Sequence, residues 1–109
     1  MKISKAVSHN VTIYIAGDLQ DAKRSLKAYC AEEGFCVSLQ ACEYIYTGGC
    51  EEGVKVGLIN YPRFVRTPEE LDLKAREIAS KLLKDLYQQS CTIVTPAETL
   101  WLSLRPEDN

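Results

Sequence analysis

The sequence predicts an α+β fold in which strands and helices follow the order βαββαβ, and three observations predict it. Residues 11–16 and the two arms around the only Gly-Gly pair, residues 35–46 and 54–61, alternate apolar and polar side chains with the period of two that is typical of half-buried strands. Residues 19–30 and 71–86 repeat apolar side chains at helical spacing. A β-rich segment at residues 90–95 completes the order.

The first strand and the first helix have clear predicted boundaries. Val11, Ile13 and Ile15 share one face of the strand, and that face is expected to be buried. Asp18 follows as the candidate N-cap of the helix. Gly34 suits the left-handed backbone conformation that closes many helices, so we expect the helix to end there.

The segment between residues 35 and 61 is predicted to be a long hairpin. Odd-numbered residues of its first arm, from Phe35 to Ile45, are apolar and are predicted to face the core, except for Glu43. Glu43 therefore predicts either a bulge or a strand end that protrudes beyond the helices. The turn is predicted at Thr47, Gly48 and Gly49.

The second helix begins with a capping box. Thr67 is the predicted N-cap, Pro68 occupies the first helical position and Glu70 occupies the third. Residues 90–95 and 99–105 are predicted to form two short strands, and Pro96 marks the turn between them.

This order is that of the ferredoxin-like βαββαβ sandwich, in which an antiparallel sheet carries both helices on one face. Right-handed crossovers place the third strand between the first and second, and the last strand beside the first. Residues 99–105 can add an extra C-terminal strand. We expect a single domain over residues 1–109, with a leader at 1–10 and a polar tail at 106–109.

Composition narrows the classes of function. The net charge of −2 and the pI of about 5.4 disfavour binding to nucleic acid, which depends on clustered lysine and arginine. No apolar run has the length of a signal peptide or a membrane span, so no membrane association is expected. The five cysteines are odd in number and lack C-x-x-C spacing, so reduced thiols and a cytoplasmic protein are expected.

The uncovered face of the predicted sheet is rich in aromatic side chains. A patch of this size is unusual on a monomer, so we expect something to cover it. The favoured cover is a second copy of the chain, because small sheets commonly pair with themselves in homo-oligomers. The residues predicted to form this partner interface are Tyr14, Tyr44, Tyr46, Tyr61 and Trp101.

The predicted topology separates the loops into two ends. The hairpin tip gives an acidic end that is expected to engage another protein, and its residues are Thr47, Gly48, Gly49, Glu51 and Glu52. The opposite end carries positive charge beside the start of the second helix, which favours a nucleotide or another small anion. Its predicted ligand-binding residues are Asn60, Arg63 and Arg66, with Arg105 as a further candidate for this end.

The sequence offers few candidates for catalysis. His9 is the sole histidine and lies in the leader, which is expected to be mobile. Cys50 lies beside the hairpin tip, but Glu51 and Glu52 disfavour its thiolate. Metal-ligand spacings and the glycine patterns of nucleotide-binding loops are absent. No catalytic residue, cofactor or metal is therefore predicted.

Two resemblances bear on function. Residues 13–19, IYIAGDL, resemble the first-strand motif of the RNA recognition motif domain, which implies binding of single-stranded RNA on the open sheet face. That family also needs alternate aromatic residues on its third strand, where this chain offers only Tyr61, so this interpretation is the least favoured. The IYIAGDL start, the hairpin YTGGCEEG and the exit GLINYPRF together resemble small uncharacterised bacteriophage-encoded proteins, which implies a protein that binds and diverts a host component.

The leading hypothesis from the sequence is a non-enzymatic interaction module, homo-oligomeric through its open sheet face, that binds another protein. The alternative is a small-ligand binder that holds a nucleotide or another anion at the end formed by Asn60, Arg63 and Arg66. A small enzyme is the third hypothesis, because ferredoxin-like folds support many unrelated reactions.

Overall fold

The computed structural model describes all 109 residues and contains five strands and two long helices. In chain order these are β1 (Val11–Ala16), α1 (Leu19–Glu33), β2 (Ser38–Tyr46), β3 (Gly49–Leu58), α2 (Pro68–Asp85), β4 (Ser90–Val94) and β5 (Thr99–Ser103). Short 3₁₀ turns lie at Pro62–Phe64 and Pro106–Asp108. The strands form one antiparallel sheet in the order β2-β3-β1-β4-β5. The predicted ferredoxin-like fold is confirmed, including the extra C-terminal strand.

Both helices begin at the predicted caps. The carboxylate of Asp18 accepts a hydrogen bond from the backbone N–H of Asp21 at 3.0 Å. The hydroxyl of Thr67 accepts one from the N–H of Glu70 at 3.1 Å. Gly34 closes α1 in the left-handed conformation, with φ of 64°. Each cap satisfies backbone groups that the helix itself leaves without partners.

The core lies between the helices and one face of the sheet. Ile13 of β1 pairs with Val56 of β3 on one side and with Ile93 of β4 on the other, and all three side chains are buried. Helix α2 packs over β1 and β4, and α1 packs beside it over β3. The opposite face of the sheet carries no helix, so side chains at the alternate positions are left on an open surface.

The β2-β3 hairpin extends beyond the helices. Its pairing runs without interruption from Ser38 opposite Gly57 to Tyr46 opposite Gly49, so there is no bulge. The second explanation for Glu43, a protruding strand end, is therefore correct. The prediction that the odd-numbered residues of this arm form core is wrong for its outer half, where the Ile45 side chain is 79% exposed.

The residues before β1 contact the body of the protein. The side-chain amide of Asn60 donates a hydrogen bond to the Val7 carbonyl at 2.9 Å. The His9 Nε2 atom lies 2.8 Å from a carboxylate oxygen of Asp72 on α2. These contacts place residues 7–9 against the segment that follows β3 and against α2, and the only histidine of the chain is bonded to that helix. Neither helix is long and apolar enough to cross a membrane.

Candidate functional site

On the open face of the sheet, a row of side chains runs across β3, β1, β4 and β5. Tyr14 of β1 pairs with Lys55 of β3 and with Thr92 of β4, and Thr92 in turn pairs with Trp101 of β5. Because paired residues point to the same side of a sheet, these side chains share the face that the helices leave free. Trp101 is 58% exposed although it is the largest side chain in the chain.

A cleft of about 380 Å³ opens on this face, at the end of the sheet where β1 finishes and β4 begins. We call it the sheet-face cleft. Its volume lies in the range of small-molecule sites. The side chains that give it chemical character are those of Tyr14, Tyr44, Glu51, Tyr87, Gln88, Gln89, Ser90, Thr92, Trp101 and Arg105.

Tyr44 is a rigid part of the cleft wall. Its hydroxyl donates a hydrogen bond of 2.6 Å to the Val54 carbonyl, and its ring lies directly over Gly53 of the neighbouring strand. A Cβ atom on Gly53 would come within 2.1 Å of the Cε2 atom of Tyr44, so only glycine leaves room for the ring. Burial raises the pKa of Tyr44, so its hydroxyl remains a neutral hydrogen-bond donor even above the pH at which an exposed tyrosine ionises.

Charged groups of both signs line the same cleft. The Glu51 carboxylate is exposed and takes part in none of the ion pairs of the structure. Arg105 is half-buried, and its guanidinium donates a hydrogen bond of 3.3 Å to the Ser90 hydroxyl. The cleft therefore offers an anion, a cation and several aromatic rings to one ligand.

The opposite end of the sheet holds a second, smaller pocket of about 280 Å³, which we call the end pocket. It is mainly apolar and is lined by Gly34, Phe35, Cys36, Ile59, Tyr61, Phe64 and Arg66. The Arg66 guanidinium lies 4.9 Å from the centre of the Phe35 ring and 4.0 Å from the Glu70 carboxylate. The Arg66 guanidinium therefore already has an aromatic and an acidic partner within the chain.

The three residues predicted to bind an anion have separate roles. Asn60 is only 8% exposed, and its amide donates to the Val7 carbonyl and accepts from the backbone N–H of Arg66, each at 2.9 Å. Arg63 stacks on the neighbouring Phe64 ring at 5.4 Å. Of the three, Arg66 lines the end pocket, whereas Asn60 and Arg63 line neither the end pocket nor the sheet-face cleft. Asn60 tethers two segments of backbone.

The aromatic residues predicted to share one interface are divided among three places. Tyr14, Tyr44 and Trp101 line the sheet-face cleft, whereas Tyr61 lines the end pocket. Tyr46 lies at the hairpin tip, where its ring covers Gly49. Of the remaining tip residues, Glu51 reaches the cleft, and Thr47, Gly48 and Glu52 are exposed outside it.

Several residues of the cleft are not predicted from the sequence. Tyr87, Gln88 and Gln89 form the connection between α2 and β4, and no periodic pattern singles them out. The placement of Arg105 at the Asn60 end is wrong. Strand β5 runs antiparallel to β4 and pairs Ser103 with Ser90, which brings Arg105 to the cleft. Alternation within β5 predicts which face of the sheet each side chain occupies. The end of the sheet at which Arg105 lies follows only from the pairing of β5 with β4.

The structure assembles neither the Cys-His pair nor the metal centre that were considered from the sequence. His9 is bonded to Asp72 and has no cysteine among its hydrogen-bond partners. Burial raises the pKa of the Cys91 thiol to about 11, which makes it a poor nucleophile. Groups of three or more histidine, cysteine, aspartate or glutamate side chains suited to a metal ion are absent.

Comparisons with known proteins identify the fold. No protein-family model matches the sequence, and neither does any curated protein sequence. Two solved structures match nearly the whole chain. A phage SAM lyase in complex with S-methyl-5′-thioadenosine superposes with a TM-score of 0.71 at 15% identity, over 94% of this chain and 95% of that one. A phage SAM lyase in the apo state gives a TM-score of 0.67 at 14% identity, over 95% and 98%.

These comparisons correct the leading hypothesis from the sequence. The expectation of a non-enzymatic module that binds another protein is wrong, because the matching structures are lyases and one of them holds a small nucleoside. They favour the alternative, a protein that binds a small ligand. The open, aromatic face of the sheet, which was expected to bind a partner chain, contains a cleft large enough for a small ligand.

Proposed function

We propose that this protein binds S-adenosylmethionine in the sheet-face cleft and cleaves it as a lyase, releasing S-methyl-5′-thioadenosine. The observation that carries the proposal is the convergence of aromatic rings, the Glu51 carboxylate and the Arg105 guanidinium on one cleft of about 380 Å³. The likeness of the whole chain to phage SAM lyases supports the choice of ligand.

The cleft matches the ligand group by group. The substrate carries an aromatic base and a sulfonium cation, and aromatic rings such as those of Tyr14 and Trp101 favour both, through stacking and through the attraction of a cation to a ring face. Glu51 is suited to the ligand's amino group, and Arg105 is suited to its carboxylate. Gln88 and Gln89 offer amide groups for the ribose hydroxyls.

The reaction makes small demands on acid–base catalysis. When an oxygen of the ligand's own carboxylate attacks the carbon bonded to the sulfonium sulfur, the new carbon–oxygen bond closes a lactone, the carbon–sulfur bond breaks with its electron pair on sulfur, and S-methyl-5′-thioadenosine departs as a neutral thioether. The leaving group therefore needs no proton, and a site without histidine can support the cleavage. Positive charge on sulfur disappears as the bond breaks, so the attraction between the sulfonium and the aromatic rings contributes to substrate binding rather than to the cleavage step.

We further propose that the protein is of bacteriophage origin, acts in the cytoplasm and self-associates. The fold of phage SAM lyases supports a bacteriophage origin. The five free cysteines support a reducing, cytoplasmic compartment, where the substrate is formed. The exposed Ile45 and Tyr46 at the protruding hairpin support self-association, which light scattering would detect as a mass above that of one chain.

A product assay with paired variants tests the proposal. Incubation of the protein with S-adenosylmethionine is expected to yield S-methyl-5′-thioadenosine, detected by liquid chromatography and mass spectrometry. Trp101→Ala is expected to reduce binding and turnover, since it removes a ring of the sheet-face cleft without opening the core. The matched control, Phe64→Ala, removes an exposed ring of the end pocket and should leave turnover unchanged.

Two results would overturn the proposal. Wild-type protein that neither binds nor cleaves the substrate would refute the function. If Phe64→Ala abolished turnover while Trp101→Ala did not, the ligand would belong to the end pocket, and the assignment to the sheet-face cleft would be wrong.

A further inference from the structure

Tyr87 adopts a backbone conformation that is unusual for its residue type. It follows Leu86 at the end of α2, where the Gln88 N–H bonds to the Leu83 carbonyl at 2.9 Å. This arrangement closes many helices and needs a left-handed residue next to the cap, a place most often taken by glycine. Tyr87 has φ of 55°, and every other residue with positive φ in the chain is glycine.

The Tyr87 side chain makes few contacts that could offset this backbone strain. It is 90% exposed, so it adds almost nothing to the buried apolar surface. Its hydroxyl takes part in none of the side-chain hydrogen bonds of the structure, although Tyr29 and Tyr44 each use theirs. An exposed aromatic residue in a strained conformation is typical of a place where a ligand supplies the missing contact.

The position of Tyr87 indicates where such a ligand would lie. The residue lines the sheet-face cleft together with Gln88, Tyr14 and Trp101. It also borders the polar groove between α1 and α2, so it stands at the rim between the two rather than on the cleft floor. A ring at the rim can cover a flat group that is bound in the cleft.

We propose that Tyr87 stacks on the base of the bound nucleoside and so makes the site selective for ligands that carry a base. The inference rests on the proposed function, because it assigns a specificity-determining residue to the same cleft. The base takes no part in the bond that breaks, so the contact stabilises substrate and transition state alike. Loss of the ring should therefore raise KM and leave kcat unchanged.

Two ligands and two variants test the inference. S-methyl-5′-thioadenosine and 5-methylthioribose share the thioether and the sugar, but only the first carries a base. Tyr87→Gly is expected to weaken binding of the nucleoside by about tenfold, the size of one aromatic stacking contact, and to leave binding of 5-methylthioribose unchanged. Tyr87→Phe keeps the ring and should bind both ligands as the wild-type protein does.

A stability measurement separates the contact from a structural role. Because glycine adopts the left-handed conformation without strain, Tyr87→Gly should raise the thermal unfolding midpoint by about 2–4 °C. A variant that is more stable but binds the nucleoside less tightly is the result the inference predicts. A lowered midpoint would show that Tyr87 supports the fold and would overturn the inference.

The remaining outcomes distinguish this inference from the proposed function. If Tyr87→Gly binds the nucleoside as tightly as the wild-type protein while Trp101→Ala does not, the inference is wrong and the proposed function stands. An equal loss for both ligands would mean a general distortion of the cleft and would also overturn the inference. If the wild-type protein does not bind S-methyl-5′-thioadenosine, both fail together.

Discussion

Replacing Gly53 by alanine is expected to displace Tyr44 from the wall of the sheet-face cleft. The new Cβ atom would lie 2.1 Å from the Tyr44 ring and 2.7 Å from the backbone oxygen of Ile15. Neither distance is compatible with contact between non-bonded atoms, so the ring has to move away and the strand has to shift slightly. The hydrogen bond from Tyr44 to the Val54 carbonyl, 2.6 Å long, is then lost.

The expected cost follows from those two effects. A lost hydrogen bond of this kind costs about 1 kcal/mol, and forcing an extra carbon into a packed site costs about 1–3 kcal/mol. The free energy of unfolding should therefore fall by about 2–4 kcal/mol. For a chain of this length that corresponds to a drop of about 8–16 °C in the unfolding midpoint. Circular dichroism during heating measures it.

Gly57→Ala is the matched control on the same strand and the same face. There the Cβ atom would meet the Ser38 hydroxyl oxygen at 2.4 Å, and that atom can rotate away because the next neighbour lies at 3.8 Å. The control should change the free energy of unfolding by less than about 1 kcal/mol. Equal midpoints for Gly53→Ala and Gly57→Ala would refute the placement of Tyr44. Gly53→Ala should also weaken binding of S-methyl-5′-thioadenosine, because Tyr44 lines the cleft.

Three further predictions concern other parts of the chain. Asn60→Ala should lower the free energy of unfolding by about 2 kcal/mol in chemical denaturation, because it removes two hydrogen bonds to backbone groups, and an unchanged midpoint would contradict this. Hydrogen bonds from Lys81 and from a serine on α1 lower the pKa of Asp85, so its stabilising contribution is complete above the unfolded pKa near 4 and is lost as the pH falls through the lower folded pKa. Asp85→Asn should therefore flatten the fall of stability below about pH 4, and an unaltered pH profile would contradict this. A thiol reagent at pH 8 should label exposed Cys50 in the folded protein but reach Cys91, whose pKa burial raises to about 11, only after unfolding; early labelling of Cys91 would contradict its burial.

Much of the fold could be predicted from local patterns. Alternation in β1, the cap residues Asp18 and Thr67 and the left-handed Gly34 are set by neighbouring residues, and the structure confirms each of them. The burial of β2 could not be predicted in this way. An apolar residue such as Ile45 has the right parity for the core, but its burial depends on how far the helices reach along the hairpin.

The site could be predicted only in part. Tyr14, Tyr44 and Trp101 were identified as side chains on an open sheet face, and the structure brings these three to one cleft. Their pattern does not distinguish a protein partner from a small ligand, because both are recognised by exposed aromatic surface. Tyr87 lies in a connection without periodicity, and its left-handed conformation leaves no mark on the sequence.

The preference for a non-enzymatic protein assumes that catalysis requires acid–base groups. It relies on the small number of such groups, since His9 is the only histidine and the carboxylate pairs Glu32-Glu33 and Glu51-Glu52 are adjacent in the sequence. A reaction whose leaving group departs as a neutral thioether does not need such groups. For chemistry of this kind, the shape and polarity of a cleft are more informative than the count of titratable side chains.

Amide NMR spectra of the wild-type protein, recorded during titration with S-methyl-5′-thioadenosine, show residue by residue where the nucleoside binds. We expect saturable shifts of the amide signals that border the sheet-face cleft, including those of Tyr14, Ser90 and Thr92, with little change at Phe35 and Arg66. Shifts confined to Phe35 and Arg66, or no shifts at millimolar ligand, would contradict this placement of the ligand.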